Sequence, residues 1–362
     1  MSEEITNNDW NIIQESDKVV VVLGAGATIS EMHQPSTPNV PPPSDANFLS
    51  IAEQCCKKQV DSLWDVFTKL WQGGEAYPLH HQRMEQIFAG TFLKVVQTAG
   101  NTTYGRLARE LYDELVLLLR DTLYKTTGKA VPEEHLSLFR RIVDRRPASF
   151  DVISFNYDCL ADRTMRIGHS EGLWVWSHQD GYGFKPTNQF YPKVESTSLL
   201  LKLHGSMNWY IPIPGKSRRT AYNANAPIYV PNPPVSYSAL AWHRVQKILG
   251  HKKGRRVFPL LVPPVFEKAT QISGQLGRIW DIAQTKLNQA TVVIVWGYSL
   301  PVTDYHAEML FAQGARRSKF RLIVVNLDKS ALGRVTEVCG HRWNRWFFRV
   351  YHLVQALDEE NS

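Results

Sequence analysis

A continuous run of β-branched residues near the start of the chain constrains the fold more than any other feature of the sequence. The run is Val19–Val22, extended by Leu23, and the segment that follows it consists of Gly24, Ala25, Gly26, Ala27 and Thr28. Such an apolar run is typical of a strand buried on both faces, and therefore of a parallel sheet. The glycines allow a sharp turn into a helix whose first amides point at a phosphate. The segment predicts a nucleotide-phosphate loop, with a purely structural strand-to-helix turn as the alternative.

The glycine segment departs from the fingerprint of dinucleotide-binding dehydrogenases. Gly24 and Gly26 supply two of its three glycines, but Ile29 stands where the third belongs. The fingerprint also requires an acidic residue at the end of a second strand, whereas Asp45, at about the right distance, lies in the proline-rich segment 35–45. That segment predicts either a loop over the site or a solvent-exposed connector. These departures disfavour an ordinary Rossmann dehydrogenase.

The composition predicts a large folded protein without a membrane span. With 362 residues, of which 43% are hydrophobic and 21% charged, the chain is long enough for one large α/β domain with an insertion, or for two lobes. No apolar run approaches the roughly 18 residues that cross a bilayer, so we expect a soluble cytoplasmic protein. The cysteines form no CxxC pair and predict free thiols. They are Cys55, Cys56, Cys159 and Cys339.

The charge of the chain bears on its partners. The net charge of +7 and the pI of about 9.1 permit an acidic partner. The basic cluster Lys252–Arg256 has the composition to contact nucleic-acid phosphates directly. No aromatic residues alternate with this cluster, which favours a solvated loop instead. Direct nucleic-acid binding is therefore open but is not predicted.

Four further apolar runs predict strands that alternate with helices. They cover 151–155, 199–203, 292–295 and 322–325. Strands that alternate with helical patterns indicate a parallel sheet. We therefore predict an α/β fold, a Rossmann-like parallel sheet with helices on both faces and an inserted helical lobe at about 46–146. The predicted organisation is a polar N-terminal arm (1–17), a catalytic domain (18–330) and an aromatic C-terminal tail packed on the body or a partner (331–362).

Each predicted strand ends in a group of small and polar residues. After the glycine segment, the groups are Asn156-Tyr157-Asp158, His204-Gly205-Ser206, Gly297-Tyr298-Ser299 and Asn326-Leu327-Asp328. Ligands of open parallel sheets bind outside the carboxyl ends of the strands, so these groups predict one shared site. For His204 the alternative is a buried histidine satisfied by backbone groups, and for Asn156 and Asp158 it is an Asx turn. For Ser299 and Asp304 it is a helix cap.

Five motifs follow one another over about residues 18–328: GAGAT, FNYD, KLHGS, GYSLPVTD and NLD. This series resembles the sirtuin superfamily, and more closely the zinc-less, sirtuin-like NAD-hydrolysing domains of prokaryotic antiphage defence systems. Two features differ from the protein deacylases of that superfamily. The chain has no CxxC pair for a zinc ribbon, and the segment 31–35 replaces the loop that follows their glycines. Both differences weigh against an acyl-lysine substrate, and no zinc is expected.

The resemblance implies an NAD⁺ glycohydrolase, with NAD⁺ as the substrate and nicotinamide and ADP-ribose as products. Because nicotinamide leaves as a neutral group, the reaction needs a stabilised oxocarbenium-like ribose and a positioned nucleophile rather than a strong acid. The implied catalytic residues are His204 as general base, Asn156 as the group that holds the water or ribose, and Asp158 as an orienting group. The implied NAD⁺-binding residues are Gly24, Ala25, Gly26, Ala27 and Thr28 at the pyrophosphate, Gly205, Gly297, Tyr298, Ser299 and Asp304 around the site, and Asn326 and Asp328 on the adenosine side.

The resemblance also implies gating, because depletion of NAD⁺ is toxic to the host cell. We expect a homo-oligomer, or control by a separately encoded ATPase, DNA translocase or other sensor protein. Two alternatives stay open. An NAD-dependent protein deacylase or ADP-ribosyltransferase would consume NAD⁺ only with an acceptor present, and a non-catalytic sensor would bind NAD⁺ or ADP-ribose without turnover.

Overall fold

The computed structural model describes residues 11–33, 40–70, 83–97, 103–186, 195–213, 226–230, 256–263, 274–301, 304–317, 320–340 and 344–360. Within these ranges the chain forms eight strands and ten helices. The strands are β1 (Lys18–Leu23), β2 (Ser149–Ser154), β3 (Leu200–Lys202), β4 (Gly205–Ile213), β5 (Arg256–Leu261), β6 (Val292–Trp296), β7 (Arg321–Val325) and β8 (Asn344–Phe347). The helices are α1 (Ala25–Glu31), α2 (Phe48–Leu70), α3 (Met84–Gln97), α4 (Thr103–Thr127), α5 (Glu133–Asp144), α6 (Leu160–Ser170), α7 (Gly274–Gln289), α8 (Tyr305–Arg317), α9 (Ser330–Cys339) and α10 (Val350–Glu359).

Six of the strands form one parallel sheet in the order β3-β2-β1-β6-β7-β8. The apolar strand β1 lies in its interior, where Val21 pairs with Val152 of β2 and with Ile294 of β6. If the antiparallel strands β4 and β5 are left out of the numbering, this order is 3-2-1-4-5-6, as in dinucleotide-binding Rossmann sheets. The strand order reverses between β1 and β6. One group of helices (α1, α5, α6 and α10) and a second group (α7, α8 and α9) flank it. The predicted α/β, Rossmann-like fold class is confirmed.

The sheet contains one parallel strand more than the sequence predicts. This strand, β8, pairs with β7 through Val324 and Trp346 and lies inside the predicted aromatic tail. It is an edge strand whose residues are at most half-buried, so its sequence shows no continuous apolar run. Helix α10 follows and packs against α5. Its buried residues, which join the main core, are Val350, Leu353 and Leu357.

The described end of the predicted N-terminal arm also belongs to the body of the protein. Residues 1–10 of that arm lie outside the described residues. Ile12 and Ile13 are buried in the main core. The backbone N–H of Ile12 donates to the carboxylate of Glu360, at 2.9 and 3.0 Å from its two oxygens. Residues 11–17 therefore stabilise the sheet rather than extend into solvent.

Helices α2, α3 and α4 form a lobe with an apolar core of its own. Large side chains of this core include Phe48, Phe88 and Leu118. The strands β4 and β5 form a separate antiparallel pair, and both contact α4. Helix α5 belongs elsewhere, since Leu138 and Phe139 are buried in the core of the sheet. The predicted insertion at about 46–146 thus includes one helix that covers the sheet.

The buried carboxylate of Glu31 fixes the end of α1 against the start of α5. It accepts hydrogen bonds from the backbone N–H groups of Glu134 and His135, each at 3.0 Å, and from Nδ1 of His135 at 2.7 Å. Pro132, which precedes α5, provides no side-chain cap. Burial raises the pKa of the Glu31 carboxyl, but the hydrogen bonds and charge of His135 outweigh burial and hold the pKa below its usual value. Glu31 therefore supplies the missing cap of α5.

We expect Glu31→Gln to lower the free energy of unfolding at pH 7 by about 1.5–3 kcal/mol, the range for hydrogen bonds to charged groups. Because the pKa of Glu31 is lower in the folded state, its stabilisation is present above the unfolded pKa and is lost as the pH falls through the folded value. The difference between the two proteins should therefore shrink below about pH 4.5, the ordinary value for this group. Urea unfolding at several pH values measures it. The exposed Glu133 in the first turn of α5 is the matched control, and Glu133→Gln should cost less than about 1 kcal/mol.

Candidate functional site

A cavity of about 650 Å³ lies at the carboxyl edge of the sheet, between the strand ends and the helical lobe. Its volume falls in the range of about 300–1,000 Å³ that is usual for small-molecule sites. The loops after β1, β2, β3 and β6, which are neighbours in the sheet, all contribute to its wall. The predicted site residues that line it are Ala25, Thr28, Asn156, Asp158, His204, Gly297, Tyr298, Ser299 and Asp304. The structure therefore brings together the polar groups that follow these four strands, at the switch point where ligands of such sheets bind.

The glycine segment after β1 packs directly against the turn after β6. A Cβ atom at Gly24 would lie 2.5 Å from Cα of Tyr298, and one at Gly26 would lie 2.7 Å from Cα of Gly297. Gly297 has a φ of +67°, and a Cβ there would lie 2.1 Å from the amide nitrogen of Ala27. The glycines are therefore required for the close approach of two turns.

The amides of this segment are used within the two turns. The N–H groups of Gly24, Gly26 and Ala27 donate to the backbone carbonyls of Trp296 at the end of β6, of Gly297 and of Gly24, at 2.8–3.0 Å. Ala25 and Thr28 are the residues of the segment that line the cavity. The predicted pyrophosphate cradle is thus built around a packed turn, in which the glycines shape the wall and the side chain of Thr28 presents a hydroxyl.

A chain of hydrogen bonds joins the loop after β2 to α1. Nδ2 of Asn156 donates to the carbonyl of Gly24 at 2.8 Å and to Oγ1 of Thr28 at 3.1 Å. Thr28 in turn donates to Oδ2 of Asp158 at 2.6 Å, and Oδ1 of Asp158 accepts the N–H of Leu160 at 2.8 Å. Because both hydrogens of Nδ2 are engaged, the Asn156 amide offers a ligand its Oδ1 acceptor. The Asp158 carboxylate forms an Asx turn and positions Thr28.

His204 lies between β3 and β4 with its side chain 7% exposed. Its ring is edge-on to Phe155, with centroids 5.3 Å apart, and within 6.3 Å of the rings of Tyr157 and Trp280. Its Nε2 atom is 3.7 Å from Oδ2 of Asp304. The imidazole thus lines the cavity among aromatic rings and next to one carboxylate, an environment suited to a general base.

Two tyrosines of the cavity wall remain protonated donors. Burial raises the pKa of Tyr157 and of Tyr298 well above the ordinary value, and the charge of Asp304 adds to both effects. Tyr157 donates to the carbonyl of Val262 at 2.7 Å, and Tyr298 donates to Oδ2 of Asp304 at 2.9 Å. The ring of Tyr298 stacks on Phe155, with centroids 4.2 Å apart and planes 2° apart. These rings form a neutral, rigid wall behind the polar groups.

The helical lobe and the end of the proline-rich segment 35–45 supply the opposite wall, to which Pro43, Ser44 and Asp45 contribute. Oδ1 of Asp45 accepts the N–H of Glu85 at 2.9 Å, and its Oδ2 lies 3.7 Å from Nη1 of Arg83. Leu119 and Leu123 of α4 add apolar surface. Among the described residues that line the cavity, Arg83 is the only arginine or lysine. One of the two predictions for segment 35–45, a loop over the site, agrees with this position of Asp45, whereas nothing in the sequence indicates Arg83.

A buried ionic network lies beneath the loop after β2. Nζ of Lys202 donates to the carbonyl of Asp158 and to Oδ2 of Asp162, the latter at 2.9 Å. Tyr182 also donates to Asp162, and Asn208 lies within 3.4 Å of both. Burial raises the pKa of Asp162, but Lys202 and the Tyr182 hydrogen bond outweigh it and hold the pKa below its usual value. Lys202 is thus a charged support for the loop that carries Asn156.

Other predicted site residues lie away from the cavity wall. Asn326 and Asp328 form the turn before α9, where Asn326 accepts the N–H of Asp328 at 3.0 Å and Asp328 accepts the N–H of Ser330 at 2.8 Å. Gly205 has a φ of +78°, and a Cβ there would lie 2.1 Å from the carbonyl oxygen of Leu260. It allows β4 to cross close to β5 and supports the wall from behind.

Neither a metal cluster nor a membrane span is found among the described residues. No group of three or more His, Cys, Asp or Glu side chains there is arranged to hold a metal ion. No helix of the described part of the chain is long and apolar enough to cross a membrane. All four cysteines are free, and burial raises the pKa of the Cys159 and Cys339 thiols to about 12. Residues 252–255 of the basic cluster lie outside the described residues.

Comparison with known proteins gives matches among solved structures. No family model and no curated protein sequence matches the chain. A structure from work on the mechanism and regulation of Sir2 enzymes is 13% identical, with a TM-score of 0.44 and coverage of 95% of this chain and 94% of the other. A mutant Sir2 homologue in complex with ADP-ribose is 15% identical, with a TM-score of 0.41 and the same coverage. Sir2 with a p53 peptide and NAD⁺ is 15% identical, with a TM-score of 0.38 and coverage of 82% and 89%.

Proposed function

We propose that this chain is an NAD⁺ glycohydrolase, which cleaves NAD⁺ to nicotinamide and ADP-ribose. The observation that carries the proposal is that Asn156 and His204, from loops after two different strands, line one cavity beside Thr28. The motifs around these residues resemble the sirtuin superfamily, which points to NAD⁺ as the substrate. A base and an acceptor amide in a partly enclosed cavity supply what hydrolysis of the nicotinamide–ribose bond needs.

The proposed reaction uses the groups that the cavity presents. The bond between the ribose carbon and the nicotinamide nitrogen breaks, and its electron pair leaves with nicotinamide, which becomes neutral. The oxygen of a water molecule bonds to the ribose carbon, and one proton of that water passes to the imidazole of His204, either directly or through a ribose hydroxyl. Oδ1 of Asn156 accepts a hydrogen bond from the other O–H of the water and fixes its direction. Asp158 keeps Thr28 and Asn156 in place through the hydrogen bonds described above.

The rest of the dinucleotide would lie along the cavity towards the helical lobe. Its pyrophosphate carries negative charge. Arg83, the only arginine or lysine among the described lining residues, can pair with that charge. Arg83 has a 68% exposed side chain and pairs with Asp45 only at 3.7 Å, so it is free to turn to a phosphate. Contact of Asn326 and Asp328 with the adenosine side stays a prediction. Both residues lie in the turn before α9 and are not among the described residues that line the cavity.

The proposal includes a cellular role in antiphage defence. Depletion of NAD⁺ would stop the metabolism of an infected cell, and such an activity requires gating. We propose that a homo-oligomer or a separately encoded ATPase, DNA translocase or other sensor protein provides it. The motif resemblance supports this part of the proposal.

The direct test is a time course of NAD⁺ incubated with the purified full-length protein, alone and with any ATPase that co-purifies with it from its own cells. We expect nicotinamide and ADP-ribose to appear in equal amounts, without an added acceptor, as measured by chromatography. Appearance of nicotinamide only when an acylated lysine peptide is added would show a deacylase. Transfer of ADP-ribose to an added protein would show an ADP-ribosyltransferase, and tight binding of NAD⁺ without turnover would show a sensor.

A further inference from the structure

Asp304 is a buried carboxylate that turns away from the helix it precedes. Its carbonyl accepts the N–H of Glu308 at 3.0 Å, so it stands at the start of α8, where an aspartate commonly caps the helix amides. Its Oδ2 atom instead accepts the hydroxyl of Tyr298 at 2.9 Å and lies 3.7 Å from Nε2 of His204. The side chains of Asp304 and His204 are 5% and 7% exposed. The carboxylate therefore faces the imidazole across a gap that little water can screen.

The described aromatic side chains that contact His204 are neutral. Phe155 and Trp280 are uncharged, and Tyr157, on the loop after β2, keeps its proton and donates to a backbone carbonyl. The ring of His306 on α8 lies next to Trp280, with ring centroids 6.2 Å apart. Among these neighbours, Asp304 is the group that carries negative charge next to the imidazole.

We propose that Asp304 is the positioning residue of His204, and that the Tyr298–Asp304 pair orients the imidazole and balances the positive charge it gains when it accepts a proton. The inference rests on the proposed function, in which His204 accepts that proton. The proton comes from a water or ribose hydroxyl, and the ring becomes imidazolium beside the carboxylate. A buried imidazolium without a counter-charge would be strongly disfavoured.

Tyr298 makes the carboxylate a fixed partner rather than a mobile one. Its ring is held by the stack on Phe155, and its hydroxyl reaches the same oxygen that faces His204. A hydrogen bond donated to a carboxylate stabilises its charged form, and the phenol of Tyr298 makes such a bond to Asp304. Tyr298, which belongs to the rigid wall, therefore contacts Asp304, and Asp304 in turn faces the imidazole of His204.

The test uses Asp304→Asn, which removes the charge at nearly unchanged size, and Asp304→Ser, which also shortens the side chain away from Tyr298 and His204; both residue types are accepted at the start of a helix. We expect kcat for NAD⁺ cleavage to fall by about 10²-fold, while the Kd for ADP-ribose changes less than about threefold. The acid limb of the profile of kcat against pH should move down by about 1–2 units, since a neighbouring negative charge no longer favours imidazolium. Asp304→Glu, which keeps the charge, should retain the wild-type acid limb.

A second measurement separates this inference from the proposed function. The His204 ring is titrated by NMR in the substrate-free protein, in wild type and in both variants. A lower midpoint in the variants supports the pairing even if wild type releases no nicotinamide, in which case the proposed function alone fails. An unchanged midpoint and an unchanged acid limb in a folded Asn or Ser variant would overturn the role of Asp304. Thermal unfolding of each variant confirms that folded proteins are compared.

Discussion

Replacement of His204 by alanine is expected to lower kcat for nicotinamide release by about 10²–10⁴-fold, the usual contribution of a general base. The dissociation constant for NAD⁺ should stay within about threefold of the wild-type value, because a group that acts on the transition state contributes little to ground-state binding. Thr28, Asn156 and Arg83 would still line the cavity. Steady-state assays with excess NAD⁺ give kcat, and calorimetric titration gives the binding constant.

The matched control is His178, a histidine of similar burial that is outside the described cavity lining. Burial lowers the pKa of His178 to about 4, so it is neutral at physiological pH. His178→Gln should leave turnover per folded molecule close to that of wild type. Turnover by His204→Ala within about threefold of wild type would place the base elsewhere. Loss of turnover with full cellular function would instead favour the sensor alternative.

Asn156 gives a less specific test than His204. Its amide also holds the carbonyl of Gly24 and the hydroxyl of Thr28, so Asn156→Ala would remove the ligand acceptor and loosen two turns together. A fall in activity would then have two causes. His204 is enclosed by rings that remain in place when its side chain is truncated, which makes the loss easier to interpret.

The sequence predicts the interior of the sheet well and its edge poorly. The interior strand β1 is apolar at five successive positions because both faces and both edges are covered, and the pattern shows this directly. The edge strand β8 presents Trp346 and Phe347 only half-buried, between charged residues. A partly exposed strand of four residues cannot be distinguished from an aromatic tail by its pattern alone.

The site follows the same division. The groups after β1, β2, β3 and β6 are predictable because parallel strands end at a common edge. Arg83 and Leu123 reach the cavity through the packing of a separate lobe, which the local sequence does not record. Gly24 and Gly26 form the strand-to-helix turn and pack closely against the turn after β6: their motif predicts a tight turn equally well whether phosphate or another turn faces it.

Lys202→Met is expected to lower the free energy of unfolding by about 3–5 kcal/mol, the cost of leaving one charge of a buried pair without its partner. The side chains of Lys202 and Asp162 are 1% and 4% exposed, and their charged atoms are 2.9 Å apart. Methionine fills most of the volume, so the loss would reflect the uncompensated Asp162 rather than a cavity. Urea unfolding at pH 7 measures the difference.

The surface pair of Arg140 and Glu171 is the control, since its side chains are 43% and 37% exposed. Arg140→Met should cost less than about 1 kcal/mol, because water already compensates such charges. Combining Lys202→Met with Asp162→Asn should recover part of the loss, since no uncompensated charge then remains. A double variant that is less stable than Lys202→Met would contradict the idea that the unpaired charge of Asp162 causes the loss.

The pH dependence provides an independent check on the same pair. Burial lowers the pKa of Lys202, but Asp162 outweighs it and raises the pKa above its ordinary value of 10.5, so this contribution is lost as the pH rises through the folded value. The pKa of Asp162 is below its ordinary value of 3.8, so its contribution is lost as the pH falls through the folded value. In Lys202→Met the buried Asp162 loses the partner that favours its charged form, so it takes up a proton more easily and the wild-type advantage should shrink as the pH falls from neutral. Because Lys202 also holds the carbonyl of Asp158, the variant should bind ADP-ribose more weakly even where it is folded, which connects the stability of this network to the shape of the cavity.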